Sequence, residues 1–239
     1  MQDKNKTLRN RFRTYIDNMT VHELISPTTP PLNPSDSVEY ALDLLMENHV
    51  RHLPVVSDGR VLLGVVSEEQ LLDAAIADIQ ILDLLGAEPV KIEANTHVFN
   101  ATKVLIDHDL TTLPIVNDNG DYLGLVRKHD LFDRFARMLA TQESGAIVSI
   151  EANERDVVLS QIIHLIEQND GRVLSVSTEK RDEVEGTIGI TIKVNVKDGT
   201  RIRHLLEHHG YKVESAFGED DDPDEMLDRV QEFLRYLEA

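Results

Sequence analysis

His204, His208 and His209 place two imidazoles four residues apart on one helix, a spacing that can grip a metal ion. From that helix only Glu207 could add a carboxylate, and its position aims it elsewhere. Exposed histidines are the plainer reading, and no metal is expected. His49 and His52, at a helix-to-strand joint, read the same way. The chain has no cysteine, which excludes disulfides, thiolate zinc sites, iron–sulfur clusters and Cys nucleophiles. It also lacks a Gly-x-Gly-x-x-Gly loop, a phosphate-loop lysine, a His-Glu-x-x-His pair and a Gly-x-Ser-x-Gly elbow. No Ser–His spacing singles out a nucleophile with its base. The expectation is a protein that binds and does not catalyse.

Charge narrows what it binds. The 239 residues carry 24 Lys plus Arg against 43 Asp plus Glu, a formal net charge of −19. A surface that tracks nucleic-acid phosphates needs net basic patches, so nucleic acid is not an expected partner. The acidic stretch 218–225 reads as a solvated entry to an amphipathic helix over 223–239, with Pro223 at its first turn. Residues 1–17 are polar and basic and read as a helix or arm capping the first domain. They contain no apolar signal core, and no stretch approaches ~18 apolar residues, so a soluble, cytoplasmic protein without a membrane partner is expected.

The elements that could position a site come from an internal repeat. Residues 53–73 and 113–133 match at an offset of 60 without a gap: Leu53, Pro54, Val56, Asp58, Leu63, Gly64, Val66, Leu71 and Asp73 recur as Leu113, Pro114, Val116, Asp118, Leu123, Gly124, Val126, Leu131 and Asp133. In each unit an amphipathic helix precedes two short apolar runs. In the first, Val38, Ala41, Leu42, Leu45 and Met46 form its apolar face and Asp36 is the expected N-cap. The runs 53–56 and 61–66 predict a hairpin turned by Asp58-Gly59, with Asn119-Gly120 in that role in the second unit. A helix follows at about 67–78 and 128–141. With short strands near 30–33 and 90–94, each unit is β-α-β-β-α, and two copies packed sheet to sheet bury what one cannot.

This pattern resembles a tandem pair of CBS domains, assigned to 18–79 and 80–140. The carrying residues are the two Leu-Pro strands, the paired Gly64 and Gly124, and the helix openings Ser67-Glu68-Glu69-Gln70 and Arg127-Lys128-His129-Asp130. The resemblance implies an adenine nucleotide, AMP- or ATP-like or an S-adenosyl ligand, in clefts between the units. An apolar wall takes the adenine, an Asp accepts the ribose hydroxyls, and a residue three earlier meets phosphate. Carried over by position, the first cleft is Ser26, Thr29, Pro30, His52, Leu53 and Pro54 with Arg127, Lys128 and Asp130. There Asp130 keeps the ribose role, and Arg127 with Lys128 offers cationic donors to phosphate; the alternative is that Arg127 simply pairs with an acid. The second cleft is Ala87, Val90, Thr112, Leu113 and Pro114 with Ser67 and Gln70. Gln70 replaces the Asp there and accepts hydroxyls less strongly, so this cleft is expected to be weaker or empty.

After a polar linker at 140–145 the pattern changes. A strand at 146–150, a helix at 155–168, strands from Val173 and over 188–196, a helix at 200–209 and a last strand at 211–215 give β-α-β-β-α-β, a ferredoxin-like order. The stretches Gly145–Ile150 and Leu205–Val213 resemble an ACT domain, assigned to 145–217. Its strand-to-helix loop reads Glu154-Arg155-Asp156-Val157, without the glycine that lets a ligand carboxylate approach backbone amides. A CBS pair followed by an ACT-like domain is similar to the acetoin-utilisation family. The fold expected is α+β, two CBS units plus the ferredoxin-like domain and a C-terminal helix. The function expected is a homodimeric regulatory sensor needing no cofactor. The alternative is an interaction module with vestigial clefts that docks on a partner enzyme or transporter.

Overall fold

The structure, a computed structural model, describes residues 19–77, 79–86, 88–182 and 184–218. The expected arm at 1–17, Ala87 and the helix at 223–239 lie outside the described residues. The chain divides into two compact units, Met1–Asp133 and Arg134–Ala239.

Both repeats lie in the first unit. The first runs through a 3-10 turn (Val21–Leu24), α1 (Val38–Asn48), β1 (His52–Val56), β2 (Leu62–Ser67) and α2 (Glu68–Ala77). The second has a 3-10 turn (Ile81–Leu84), β3 (Ile92–Glu93), α3 (Val98–Asp107), β4 (Thr112–Val116), β5 (Tyr122–Arg127) and α4 (Lys128–Met138). β1 and β2 are antiparallel, as are β4 and β5; β3 pairs parallel to β4. The strand expected near 30–33 is reduced to a single parallel bridge from Leu32 to Val55. Prolines at 30, 31 and 34 explain this, because each removes a ladder donor.

β4 is buried at all five positions and β1 at four of five. Strands so continuously buried are covered on both faces. Leu32, Leu45, Leu53, Val55, Val66, Leu71 and Ile81 form one core of the first repeat. Two local expectations fail here. The N-cap of α1 is Ser37, whose hydroxyl accepts from Tyr40 N at 3.1 Å; Asp36 instead accepts from Asn33 N at 2.7 Å. Leu44, not Met46, completes the buried face, and Met46 is 63% exposed. The hairpin turn differs too. The left-handed residue of the first hairpin is Arg60 (φ 60), in the position that Gly120 (φ 86) fills in the second.

The second unit holds β6 (Ala146–Asn153), α5 (Leu159–Gln168), β7 (Val173–Asp182), β8 (Thr187–Val194), α6 (Gly199–His208) and β9 (Lys212–Phe217). Its antiparallel sheet runs β7-β8-β6-β9. The alternating Ile188, Ile190, Ile192 and Val194 of β8 lie in its core with Ile162, Ile166, Ile202 and Leu206 of the two helices. α5 starts at 159, later than the 155 expected. Asn153 captures the preceding loop: its carbonyl accepts from Asp156 N and Val157 N, and its side-chain oxygen from Arg155 N.

Candidate functional site

The first cleft is assembled where the entry segment of the first repeat crosses to the second. Ser26 N donates to Leu125 O of β5 at 2.8 Å, which lays the entry segment of the first repeat beside the strand that ends in Arg127. Gly124 makes that approach possible: a Cβ there would stand 2.4 Å from Ile25 Cγ2, and its φ is 155. The reciprocal contact is Leu85 over Gly64, where a Cβ would stand 2.6 Å from Leu85 Cδ2. The repeat glycines are thus docking seats for the opposite repeat.

Ser26 and Thr29 are both buried, at 8% and 4% exposure. Their hydroxyls lie 3.2 Å apart, and Thr29 donates to Asn48 Oδ1 at 2.9 Å. A buried hydroxyl pair so anchored is rigid, with Thr29's proton already committed. Pro30 next to it is exposed.

Arg127 and Asp130 bind each other. Arg127 Nε donates to Asp130 Oδ2 at 2.9 Å, Nη2 to Oδ1 at 2.8 Å, and the Arg127 amide to Oδ2 at 3.2 Å. The two side chains are 27% and 19% exposed. Asp130's hydrogen bonds push the Arg127 guanidinium above its ordinary value, outweighing the opposing effect of burial. Of the two readings of Arg127, the pairing with an acid is the one seen: the fork closes on the carboxylate one helical turn away. Lys128 is exposed at the start of α4.

His52 is half-buried and joins the repeats rather than lining open space. Its Nδ1 accepts from Thr111 N at 3.2 Å and lies 3.1 Å from Thr111 Oγ1, which itself accepts from Arg51 N at 2.8 Å. Burial lowers the imidazole's pKa from 6.5; the Arg51 charge lowers it further and Asp109 opposes. A ring that accepts at Nδ1 is neutral and carries its proton at Nε2. Thr111 was not foreseen as a link between repeats. Its offset partner is Arg51, so the break in the repeat was its only signal.

Leu53 and Leu113 are fully buried, and so are Pro54 and Pro114 within their strands. They form core, not cleft wall, because both faces of these strands are covered. Thr112 is also fully buried and donates to His52 O at 2.8 Å. In the second cleft Ser67 and Gln70 form a reciprocal capping box: Ser67 N donates to Gln70 Oε1 at 2.9 Å and Gln70 N to Ser67 Oγ at 3.2 Å. Val90 is half-buried.

The histidines on α6 do not cluster into a metal site. Glu207 lies 3.6 Å from His204 and takes Arg203, and His209 Nδ1 meets Leu205 O at 2.8 Å. No group of three metal-ligating side chains occurs among the described residues. No helix of the described residues is long and apolar enough to cross a membrane.

The pattern of the CBS domain family matches residues 21–77 and 81–137. This region is a tandem CBS pair. The chain is 28% identical over 167 residues to an inosine-5'-monophosphate dehydrogenase of Korarchaeum cryptofilum, a match covering 64% of this chain and 34% of that protein. The chain therefore spans about a third of that relative's length. Among solved structures it is similar to CBSX2 of Arabidopsis thaliana in complex with AMP (27% identity, TM-score 0.44, 49% of this chain and 96% of that one). It is also similar to a CBS domain pair/ACT domain protein of Thermotoga maritima (21% identity, TM-score 0.46, 51% and 99%).

Proposed function

We propose that this protein is a non-enzymatic, ligand-sensing regulator whose CBS pair binds an adenine nucleotide at the first cleft. The observation that carries the reading is the Arg127–Asp130 pair, a fork and a carboxylate at the opening of α4, on the strand to which the first repeat's entry segment is tied through Ser26 N and Leu125 O. A phosphate competes with Asp130 for the guanidinium, since both are bidentate acceptors for it. Asp130, once released, has lone pairs for ribose hydroxyls. Phosphate and ribose recognition are therefore coupled, and a nucleoside without phosphate binds poorly. The second cleft, closed by its capping box, is the weaker one.

α4 relays the signal. Its start carries Arg127's partner Asp130. The residues after its end are tied to the second unit's sheet, where Ser175 Oγ donates to Leu139 O at 2.8 Å and the buried Lys193 ammonium to Thr141 O at 3.2 Å. The β-α-β-β-α-β order with sheet order β7-β8-β6-β9 supports a ferredoxin-like, ACT-type second domain. We place the protein in the cytoplasm as a homodimer, with this domain or the 223–239 segment available to a protein partner.

A second reading has its own support. Both helix openings satisfy their polar groups internally, as expected of a structural pair with vestigial clefts that docks on an enzyme or transporter. Isothermal titration of the full chain with AMP, ATP, S-adenosylmethionine and adenosine separates the two. The sensor reading expects a phosphate-bearing nucleotide to bind at least tenfold tighter than adenosine, and Arg127→Ala to abolish the difference. No binding by any of them, or unchanged binding in Arg127→Ala and Asp130→Ala, overturns it in favour of the docking module.

A further inference from the structure

A second cavity lies at the far end of the CBS pair from α4, around the tip of the first hairpin. It encloses about 390 Å³ and is lined by Asn33, Ser57, Asp58, Arg60 and Tyr122, with Val56 at its base. Two anomalies meet there. The Tyr122 hydroxyl is buried, its residue only 7% exposed, and it has no hydrogen-bond partner among the described residues; its oxygen shows almost no accessible surface, so the cavity meets this residue elsewhere on its side chain. Buried polar groups are almost always bonded, and an orphan in a native structure requires a reason. The second is Arg60, held in the left-handed conformation where its repeat counterpart is Gly120. The turn is otherwise the same in both repeats: Arg60 N donates to Ser57 O at 2.9 Å, and Gly120 N to Asn117 O at 2.9 Å. An arginine there costs energy that glycine avoids, and its own carbonyl fixes the neighbouring strand by accepting from Tyr122 N at 2.8 Å.

Both anomalies are departures from the repeat. At an offset of 60, Arg60 faces Gly120 and Tyr122 faces Leu62. The backbone does not need the guanidinium, so the charge it adds is available to a ligand. The ionised side chains lining the cavity, Asp58 and Arg60, cancel in charge, and no hydrogen bond or ion pair of either side chain is seen among the described residues. An anion alone meets Asp58's repulsion and a cation alone meets Arg60's. A small zwitterion satisfies both.

We propose that this cavity binds a free α-amino acid, its carboxylate on Arg60 and its ammonium on Asp58. The site is separate from the nucleotide cleft and does not depend on it. It is also separate from the 154–157 loop of the second unit, whose amides are consumed by Asn153 and Gly186.

The test is calorimetry of the full chain with each of the twenty L-amino acids, and with propionate and ethylamine as half-probes. At least one amino acid is expected to bind, and both half-probes at least tenfold more weakly. Arg60→Gly installs the second repeat's residue, relieves the backbone and should melt no lower than wild type; it is expected to weaken binding at least tenfold. Absence of any amino-acid binding overturns the proposal. So does binding that survives Arg60→Gly, or propionate binding as tightly as the amino acid.

Discussion

Gly124→Ala tests how the two repeats are held together. At φ 155 a side chain enters backbone territory that glycine alone occupies freely, at a cost of about 1–3 kcal/mol. The new Cβ would also stand 2.4 Å from Ile25 Cγ2, an overlap that forces Ile25 or β5 to move, at a further cost of about 1–3 kcal/mol. The sum is about 2–6 kcal/mol. Gly64→Ala is the internal control. It meets the end of the Leu85 side chain at 2.6 Å without a positive φ, so only the packing cost of about 1–3 kcal/mol applies. Adding Ile25→Ala to each variant separates the terms: it relieves the overlap at Gly124→Ala and cannot touch Gly64→Ala. Urea denaturation followed by circular dichroism reads these four variants and Ile25→Ala alone against wild type. The reasoning fails if Gly124→Ala is no more destabilising than Gly64→Ala, or if Ile25→Ala shows no coupling with it beyond about 0.5 kcal/mol.

Two further outcomes follow from the same unit. His52 has a lowered pKa in the folded chain, so the unfolded chain binds the extra proton more readily and stability falls as pH drops below about 6.5; chemical denaturation between pH 8 and 5 should show a decline that His52→Gln makes shallower, and an identical slope in the variant would remove His52 as its cause. Ser67→Ala opens the capping box at α2 and should cost about 1 kcal/mol by thermal or urea melts, whereas a neutral effect would mean that the helix end is satisfied by other groups.

The repeat made the architecture of the first unit readable before any coordinates, because its apolar positions recur with their spacing intact. What was not readable is where the two copies diverge. Asp58-Gly59 advertised a glycine turn, yet the left-handed residue is Arg60, one position later; the offset to Gly120 held that information and local composition hid it. Leu53, Pro54, Leu113 and Pro114 were expected in the clefts and lie buried within their strands, since a sequence shows that a strand is apolar and not that both its faces are covered. Arg127 and Asp130 were legible as an unusual pair at a helix opening. Their mutual bond was not, because either could equally have reached across the cleft. The polar loop at 154–157 gave no sign that Asn153 would consume its amides and delay α5 to 159.

The two helix openings show why divergence carries the function in a pair like this. In both, the side chain three residues on accepts the amide of the residue that opens the turn: Gln70 from Ser67 N, Asp130 from Arg127 N. The structural task is therefore discharged equally well by either sequence. Ser67 returns the bond to Gln70 N and leaves a neutral, self-contained cap. Arg127 has no acceptor to return, so its guanidinium folds onto the carboxylate, and a cap becomes an ion pair with partial exposure. A neutral box gives an arriving phosphate no charge to compete for. A partly exposed ion pair does, because a doubly charged oxyanion can take the fork while Asp130 keeps the backbone amide. In the sensor reading proposed above, this asymmetry is what would make one opening responsive and the other inert without altering the fold of either.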